Sequence, residues 1–452
     1  MDLPSKHVLY LAKRIGARGA GSDGEAAAAS YVLRTFGDLD LEVDMETFSS
    51  WKSDLHGLLI IYGLVIVAFA VFRLSYTACV VAMVLLFFIF QMETYTWAVV
   101  SRLLPHSSAS NVVGRVRASD SAKRKVLLVA NYDSARSSPL GRPGVARLFR
   151  LLYIISFACI IAIMLLGFFG LGASLTKISQ NTINKVWLYA SPFAAYLVVM
   201  CIIIMLGEAR GRFTAGANDN ASGIGVLLSV MASLAENPLE NTEVWGLASG
   251  RGTAGARGMI AFLHRHRHVM RDASIINLDH CGIGDTLIAT REGAMFGFRC
   301  SWRMRRIAQD AARSSSGVEL GKGRCRVKKS DGMAAMVRGF RAITICGLKG
   351  GTYPGWRNTD DTLDTLDRGS LDRAVKLVGL MLDIVDSGPS RKGSRRRGRA
   401  RQKEIEELIA PEATGEETSA SDEAEEIRRH LTEESDKEGR ERPSEKRDSS
   451  ED

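Results

Sequence analysis

Residues 247–259 read LASGRGTAGARGM, and Gly250, Gly252 and Gly255 spell G-x-G-x-x-G behind the apolar run TEVWGLA. Asp279 closes the next apolar run, SIINLD, 24 residues after Gly255. Glycines at this spacing can bring backbone N–H groups onto a pyrophosphate, with a later carboxylate on a ribose hydroxyl. Alone, the pattern is a weak one. Other residues here also carry chemical potential. His264, His266 and His268 in FLHRHRH suggest a metal, but only His264 and His268 would share a helix face, and Arg265 and Arg267 between them would repel a cation. A solvated helix end is the expectation. His280 and Cys281 follow Asp279 directly and could supply ligands, although successive strand residues point to opposite faces.

The elements around these residues are of two kinds. KVLLVANYD (125–133), TEVWGLAS, SIINLD and RAITICGL read as strands, while ASGIGVLLSVMASLAEN (221–237) and GSLDRAVKLVGLMLDIVD (369–386) read as amphipathic helices. Their alternation predicts an α/β fold: a mixed, mostly parallel sheet flanked by helices. The second kind is apolar. LHGLLIIYGLVIVAFAVF (55–72) and LSYTACVVAMVLLFFIF (74–90) predict a hairpin of two membrane spans with Arg73 at its tip. Residues 148–173 and 186–206 predict a second pair. Four spans put residues 1–54, 105–147 and everything after 207 on one side. Lys52, Arg102, Arg147, Arg150, Arg210 and Arg212 flank the spans there, against Arg73, Lys177 and Lys185 opposite, which predicts a cytoplasmic soluble part and cytoplasmic termini. Glu93, in QMETYTW, is expected at the interface with Tyr95 and Trp97.

The net charge of +9 is uneven. Residues 391–403, RKGSRRRGRARQK, are basic, and Glu404–Asp452 is mostly acidic and polar, the composition of a disordered tail. In a membrane protein the basic run is expected to meet anionic lipid head groups, and nucleic acid is not expected. The seven scattered cysteines, with no C-x-x-C, predict free thiols in a reducing compartment. The first 19 residues are too polar for a cleavable signal peptide.

Taken together, the soluble pieces resemble metallopeptidase family 28, the two-zinc aminopeptidases related to glutamate carboxypeptidase and glutaminyl cyclase. Residues 7–50 are similar to the family's opening helix, turn, helix and strand. ANYDS (130–134) lies where the family has A-H-x-D-S, and GANDNASG (216–223) matches without change. SGRGTAGA (249–256) lies on E-E-x-G-x-x-G-S/A, INLDHCG (276–282) on the strand ending D-x-x-G, SDGMAAMVRGFRAITICG (330–347) on the S-D-H segment, and WRNTDDTLDTLD (356–367) on W-H-T-x-D-D. Six motifs in order displace the dinucleotide reading, because a dinucleotide site usually sits on its domain's first strand.

The resemblance implies a two-metal hydrolase site of His, bridging Asp, Glu, Asp and His, with a Glu base. Carried over, Asp219 falls on the bridging ligand, Asp279 on the second Asp ligand and Asp133 on the carboxylate supporting the first His. The other positions are substituted: Asn131 and Arg357 stand for the histidines, Gly250 for the ligand Glu and Ser249 for the base. Two carboxylates fall short of the three protein ligands usual for catalytic zinc, and loss of a base costs about 10²–10⁴ in rate. The expectation is therefore a pseudoenzyme with no cofactor, binding a peptide or protein in the former substrate cleft, with Arg357 supplying the charge of the lost metal between Asp219 and Asp279. A hydrolase with a rearranged zinc site, drawing on His280 or Cys281, is the alternative. A regulator working through the charged tail is a third.

The organisation expected is a peptidase-like domain in three pieces (1–54, 105–147 and 208–388), transmembrane hairpins at 55–101 and 148–207, and a tail at 389–452. The second hairpin would then enter the domain between Asp133 and Asp219.

Overall fold

The structure, a computed structural model, describes residues 3–72, 74–176, 180–315, 318–349 and 352–388. Arg73, Lys177 and the tail from residue 389, on which several expectations fall, lie outside the described residues. The chain opens with α1 (Leu3–Leu9) and α2 (Asp23–Asp38), followed by β1 (Glu42–Ser50). Ser22 caps α2 by accepting from the Glu25 N–H, while the Glu25 carboxylate reaches back to the Gly21 N–H at 2.6 Å, a reciprocal arrangement that satisfies two of the helix's free donors. Two apolar helices, α3 (Leu55–Val71) and α4 (Tyr76–Thr94), precede β2 (Ser107–Val116) and β3 (Arg124–Asn131). Two more, α5 (Pro143–Leu175) and α6 (Gln180–Arg210), precede α7 (Ser222–Glu236), β4 (Thr242–Ser249), α8 (Arg257–Arg265) and β5 (Ser274–Asp279). The chain continues through β6 (Asp285–Glu292), β7 (Phe298–Arg299), α9 (Trp302–Ser314), β8 (Gly321–Cys325), α10 (Asp331–Val337), β9 (Arg341–Leu348) and α11 (Arg368–Ser387).

The strands form one mixed sheet in the order β1-β2-β4-β3-β5-β9-β6-β7, with β8 beside β6. Its centre, β4-β3-β5-β9, is parallel. These strands carry near-continuous apolar runs because both faces of the sheet are covered. α7 packs on α1 and α11, and α11 on α9, while α8 and α10 pack on each other. The register sets Asn131 opposite Ser249, and Ile276 opposite Leu128. The carboxyl ends of β3, β4 and β5 thus lie side by side, the usual place for a site in an open α/β sheet.

α3, α4, α5 and α6 form a separate ring in which each helix packs on two others, around Ile61, Met83, Ile160 and Leu197. Their outward residues, among them Leu64, Val81, Leu85, Phe88, Phe169 and Ile202, are exposed and apolar. Three helical stretches, Tyr76–Thr94, Gly144–Leu175 and Asn184–Arg210, are long and apolar enough to cross a membrane. α3 has 17 residues and falls short of that length, spanning about 26 Å at 1.5 Å per residue. Glu93, at the end of α4, is buried, with Ser101 Oγ and the Val100 N–H donating to its carboxylate.

Candidate functional site

Asp219 sits in the irregular turn Ala217–Ala221 ahead of α7, where it and Asn220 leave helical geometry and their shared peptide bond is cis. Asp361 holds this turn by accepting from the N–H groups of Asn218 (2.7 Å) and Asp219 (2.9 Å). Asp279 ends β5. The structure brings these two carboxylates together as the sequence predicts, but the pocket between them is not empty. Lys328, on the segment between β8 and α10, places Nζ 2.8 Å from Asp219 Oδ1 and 2.8 Å from Asp279 Oδ1. His280 Nδ1 lies 2.8 Å from Asp279 Oδ1 and Nε2 3.5 Å from Asp219 Oδ1.

All four side chains are buried, and electrostatics decides the charge of the two aspartates and the lysine. Burial by itself raises both carboxyls, but Lys328 and then His280 more than offset it and hold Asp219 and Asp279 below the ordinary carboxylate range. Burial likewise works against the Lys328 ammonium, and the two aspartates outweigh it and push its pKa up. An ammonium between two carboxylates is therefore the stable charge state.

The cation at this centre is Lys328 and not Arg357. Arg357 Nη2 donates to Asp54 Oδ1 at 2.7 Å, immediately ahead of α3, so its guanidinium is committed to the base of the apolar helices. The remaining substituted positions are similarly occupied. Asn131 Nδ2 donates to the backbone and carboxylate oxygens of Asp133, and its Oδ1 accepts from Asn220. Ser249 Oγ donates to Asp331 Oδ2 at 2.5 Å, and burial pushes the Asp331 carboxyl up to about 7. Gly250 has no side chain and no space for one. A Cβ there would lie 2.4 Å from Ser110 O and 2.7 Å from Tyr132 Oη.

The glycine loop holds a carboxylate of its own chain. The N–H groups of Gly252 and Thr253 donate to Asp133 at 2.8 and 2.9 Å, and Thr253 Oγ1 adds a third bond. Arg251, fully buried at φ 54°, ties the loop to Glu25 of α2 at 3.1 Å. Of the other candidates, Cys281 turns away and packs in the main core with Sγ near Ile345 O, and His280 joins Asp279 at the site because β5 ends at Asp279 and the chain turns at His280 (φ 54°), so strand alternation does not carry past Asp279. His264 and His268 are exposed, as expected of a solvated helix end. His266 departs from that expectation: it lies beyond the end of α8, against Glu46 of β1 and 4.6 Å from the Phe262 ring.

This donor set does not fit a two-zinc centre. Gly250 and Arg357 provide no ligand, the Asn131 amide is engaged, and Lys328 occupies the carboxylates. Asp219, Asp279 and His280 alone among the described residues could converge on one ion. Asp219 Oδ2, Asp279 Oδ2 and His280 Nε2 have no hydrogen-bond partner, but Lys328 stands at the same place with a charge that repels a cation. The adjoining cavity, lined by Asp54, Thr253, Lys328, Trp356 and Arg357, holds about 20 Å³, room for little beyond one water.

Sequence reasoning missed Lys328 and Asp331. Both lie in KKSDG, directly at the S-D motif. The available signal was charge balance, since two buried aspartates without a metal demand a cation.

Residues 198–382 match the family model for peptidase family M28, a span under half of the chain that includes Asp219, Asp279 and Arg357. No curated protein matches the chain. Among solved structures, the chain is similar to the Legionella pneumophila LapA aminopeptidase (9% identity, 86% of this chain and 72% of that one, TM-score 0.49). It is also similar to BSAP, a zinc aminopeptidase from Bacillus subtilis (13% identity, 84% and 93%, TM-score 0.49), and to the Porphyromonas gingivalis glutaminyl cyclase (14% identity, 85% and 99%, TM-score 0.49). The chain thus resembles metallopeptidase family 28 over residues 198–382.

Proposed function

We propose that this chain is a membrane-anchored pseudopeptidase: a peptidase-like domain in which a lysine replaces the metal centre, serving as a binding or scaffold module. The observation that carries this reading is Lys328 Nζ at 2.8 Å from both Asp219 and Asp279. Its charge does for folding what a metal would do, neutralising two buried carboxylates, and offers no Lewis acid or activated water in exchange. With Ser249 at the base position, the general base that resemblance would require is absent too. A partner peptide or protein would meet the rim of the former cleft, since the cavity behind it is nearly closed.

In this reading α4–α6 cross the bilayer together with the shorter α3, which packs against α4 and α6, and the excess of cations at Lys52, Arg102, Arg147, Arg150, Arg210 and Arg212 supports a cytoplasmic soluble part and cytoplasmic termini. The domain sits against the bilayer because Arg357 is paired with Asp54 at the start of α3, and Glu208 near the end of α6 accepts from Ser53 and pairs with His56. The basic run 391–403 would add attraction to anionic lipid.

A second reading has one observation in its favour, the unpartnered Asp219 Oδ2, Asp279 Oδ2 and His280 Nε2. A single ion there, with Lys328 displaced and Asp331 as base, would give a rearranged metallohydrolase. Metal analysis of the purified full-length chain, with an aminopeptide hydrolysis assay, separates the two. The pseudopeptidase reading expects no stoichiometric metal and no turnover. Stoichiometric zinc with chelator-sensitive turnover would overturn it.

A further inference from the structure

The edge of the sheet formed by β6, β7 and β8 carries a charge arrangement that the fold does not need. Arg291 of β6 stands directly opposite Arg299 of β7 on one side and Arg324 of β8 on the other. Like charges facing each other across strand pairs destabilise a sheet. Alternation along the extended chain adds Lys322 and Arg326 to the same face of β8 as Arg324, and Arg305 of α9 completes the lining. These side chains line a groove of about 720 Å³ with no carboxylate among them, and none of the six cations is ion-paired among the described residues. Trp302, at the start of α9 and 71% exposed, lies on the groove wall.

The groove is continuous with the base of the apolar helices. The turn between β6 and β7 packs Ala294 and Met295 against the α3–α6 cluster. Arg150 of α5 donates from Nε to Ala294 O at 3.2 Å, and Phe298 meets Tyr95, just past α4, edge to face at 5.3 Å. Phe296, in the same turn, is 60% exposed. Arg326 is held below its ordinary pKa by burial, then by Arg150 and Arg324, so the cationic field runs from the foot of α5 into the groove. Unpaired cations beside exposed aromatic rings at a helix–water boundary are the composition of a headgroup-contacting surface.

We propose that this sheet edge binds the head groups of anionic phospholipids in the leaflet where α3–α6 meet the soluble domain. The inference rests on the reading of those helices as membrane spans. Bound phosphate or carboxylate groups would relieve the repulsion among Arg291, Arg299 and Arg324, and would fix the domain's tilt on the bilayer.

The test uses the full-length chain, purified in detergent and titrated with phosphatidylserine or phosphatidylcholine under native mass spectrometry. It is run beside the triple variant Arg291→Gln/Arg299→Gln/Arg324→Gln. Removing mutually repelling charges should leave the thermal midpoint equal or higher, so a folding defect does not confound the comparison. Expected is a wild-type preference for phosphatidylserine of at least about tenfold that the variant loses, with the tail 391–403 intact in both. Equal preference in the two proteins, or none in the wild type, would overturn the surface. Capture of a single-stranded RNA oligonucleotide ahead of phosphatidylserine vesicles would overturn it in favour of nucleic acid. A wild-type chain that stays soluble without detergent overturns the membrane reading itself, and the lipid surface with it.

Discussion

Lys328 concentrates the consequences of the site in one side chain. Its replacement by alanine leaves Asp219 and Asp279 buried, close together and unpaired, a change that typically costs about 3–5 kcal/mol. The thermal midpoint of Lys328→Ala should fall accordingly, and zinc should partly restore it, because Asp219, Asp279 and His280 then face each other without a competing cation. The wild type should respond neither to zinc nor to chelators. A wild-type midpoint that drops with chelator would remove Lys328 as the metal's substitute. Arg357→Ala should cost less, about 1–3 kcal/mol, because it breaks a charged hydrogen bond to Asp54 at the rim. Thermal melts with and without zinc distinguish the two, since the arginine variant should gain no metal response.

At the scale of the element, the loop after β4 shows that positions 249 and 250 have no room for the acids the family resemblance implies there. Tyr132 Oη donates to Ser110 O at 2.5 Å across the place a side chain at 250 would need. Introducing the acidic pair that the family resemblance implies, Ser249→Glu with Gly250→Glu, should therefore not produce hydrolysis and should lower the yield of folded protein, read by size exclusion and circular dichroism. A folded double variant with metal-dependent aminopeptidase activity would show the loop to be far more pliable than its packing implies. The same loop explains the G-x-G-x-x-G pattern. Gly252 must lie against Asn131, where a Cβ would sit 2.3 Å from the Asn131 Cβ, and its N–H serves Asp133.

For the whole molecule, several buried acids set a pH dependence. Glu292 lies between the hydroxyls of Ser330 and Thr344, and burial pushes it up to about 7. Glu25 is also pushed up to about 7 and Asp361 to about 6, burial being the first cause in both. A raised folded pKa means that the folded state holds the proton more tightly than the unfolded chain. The stabilisation is complete below the unfolded value of about 4.3 and is lost as pH rises towards 7. Asp219 and Asp279 act in the opposite sense, being depressed, and their contribution is lost only as pH falls below the ordinary carboxylate range. The midpoint should decline between about pH 4 and about pH 7, the window between the unfolded and folded values of these acids, and Glu292→Gln should flatten the decline. An unchanged slope in that variant would show Glu292 to be ionised in the folded protein.

The sequence by itself determined whatever rests on local pattern. Buried runs such as VLLVA and AITIC specify strands, amphipathic spacing specifies α7 and α11, and GANDNASG specifies the turn that presents Asp219, because these depend on neighbours within a few residues. The resemblance assigned Asp133 to the carboxylate supporting the first histidine position, and the structure has it bonded to Asn131 there and to the glycine loop as well. What only the tertiary structure decided was the charge partner of each buried group. Lys328 is 109 residues from Asp219 and 49 from Asp279, in a segment with no periodicity, and Arg357 is 303 residues from Asp54. Nothing local distinguishes either cation from the many others in a chain with 59 lysines and arginines. The choice is made by desolvation: once the sheet buries two carboxylates, the cation that the fold can bring within 3 Å is the one that holds the site together.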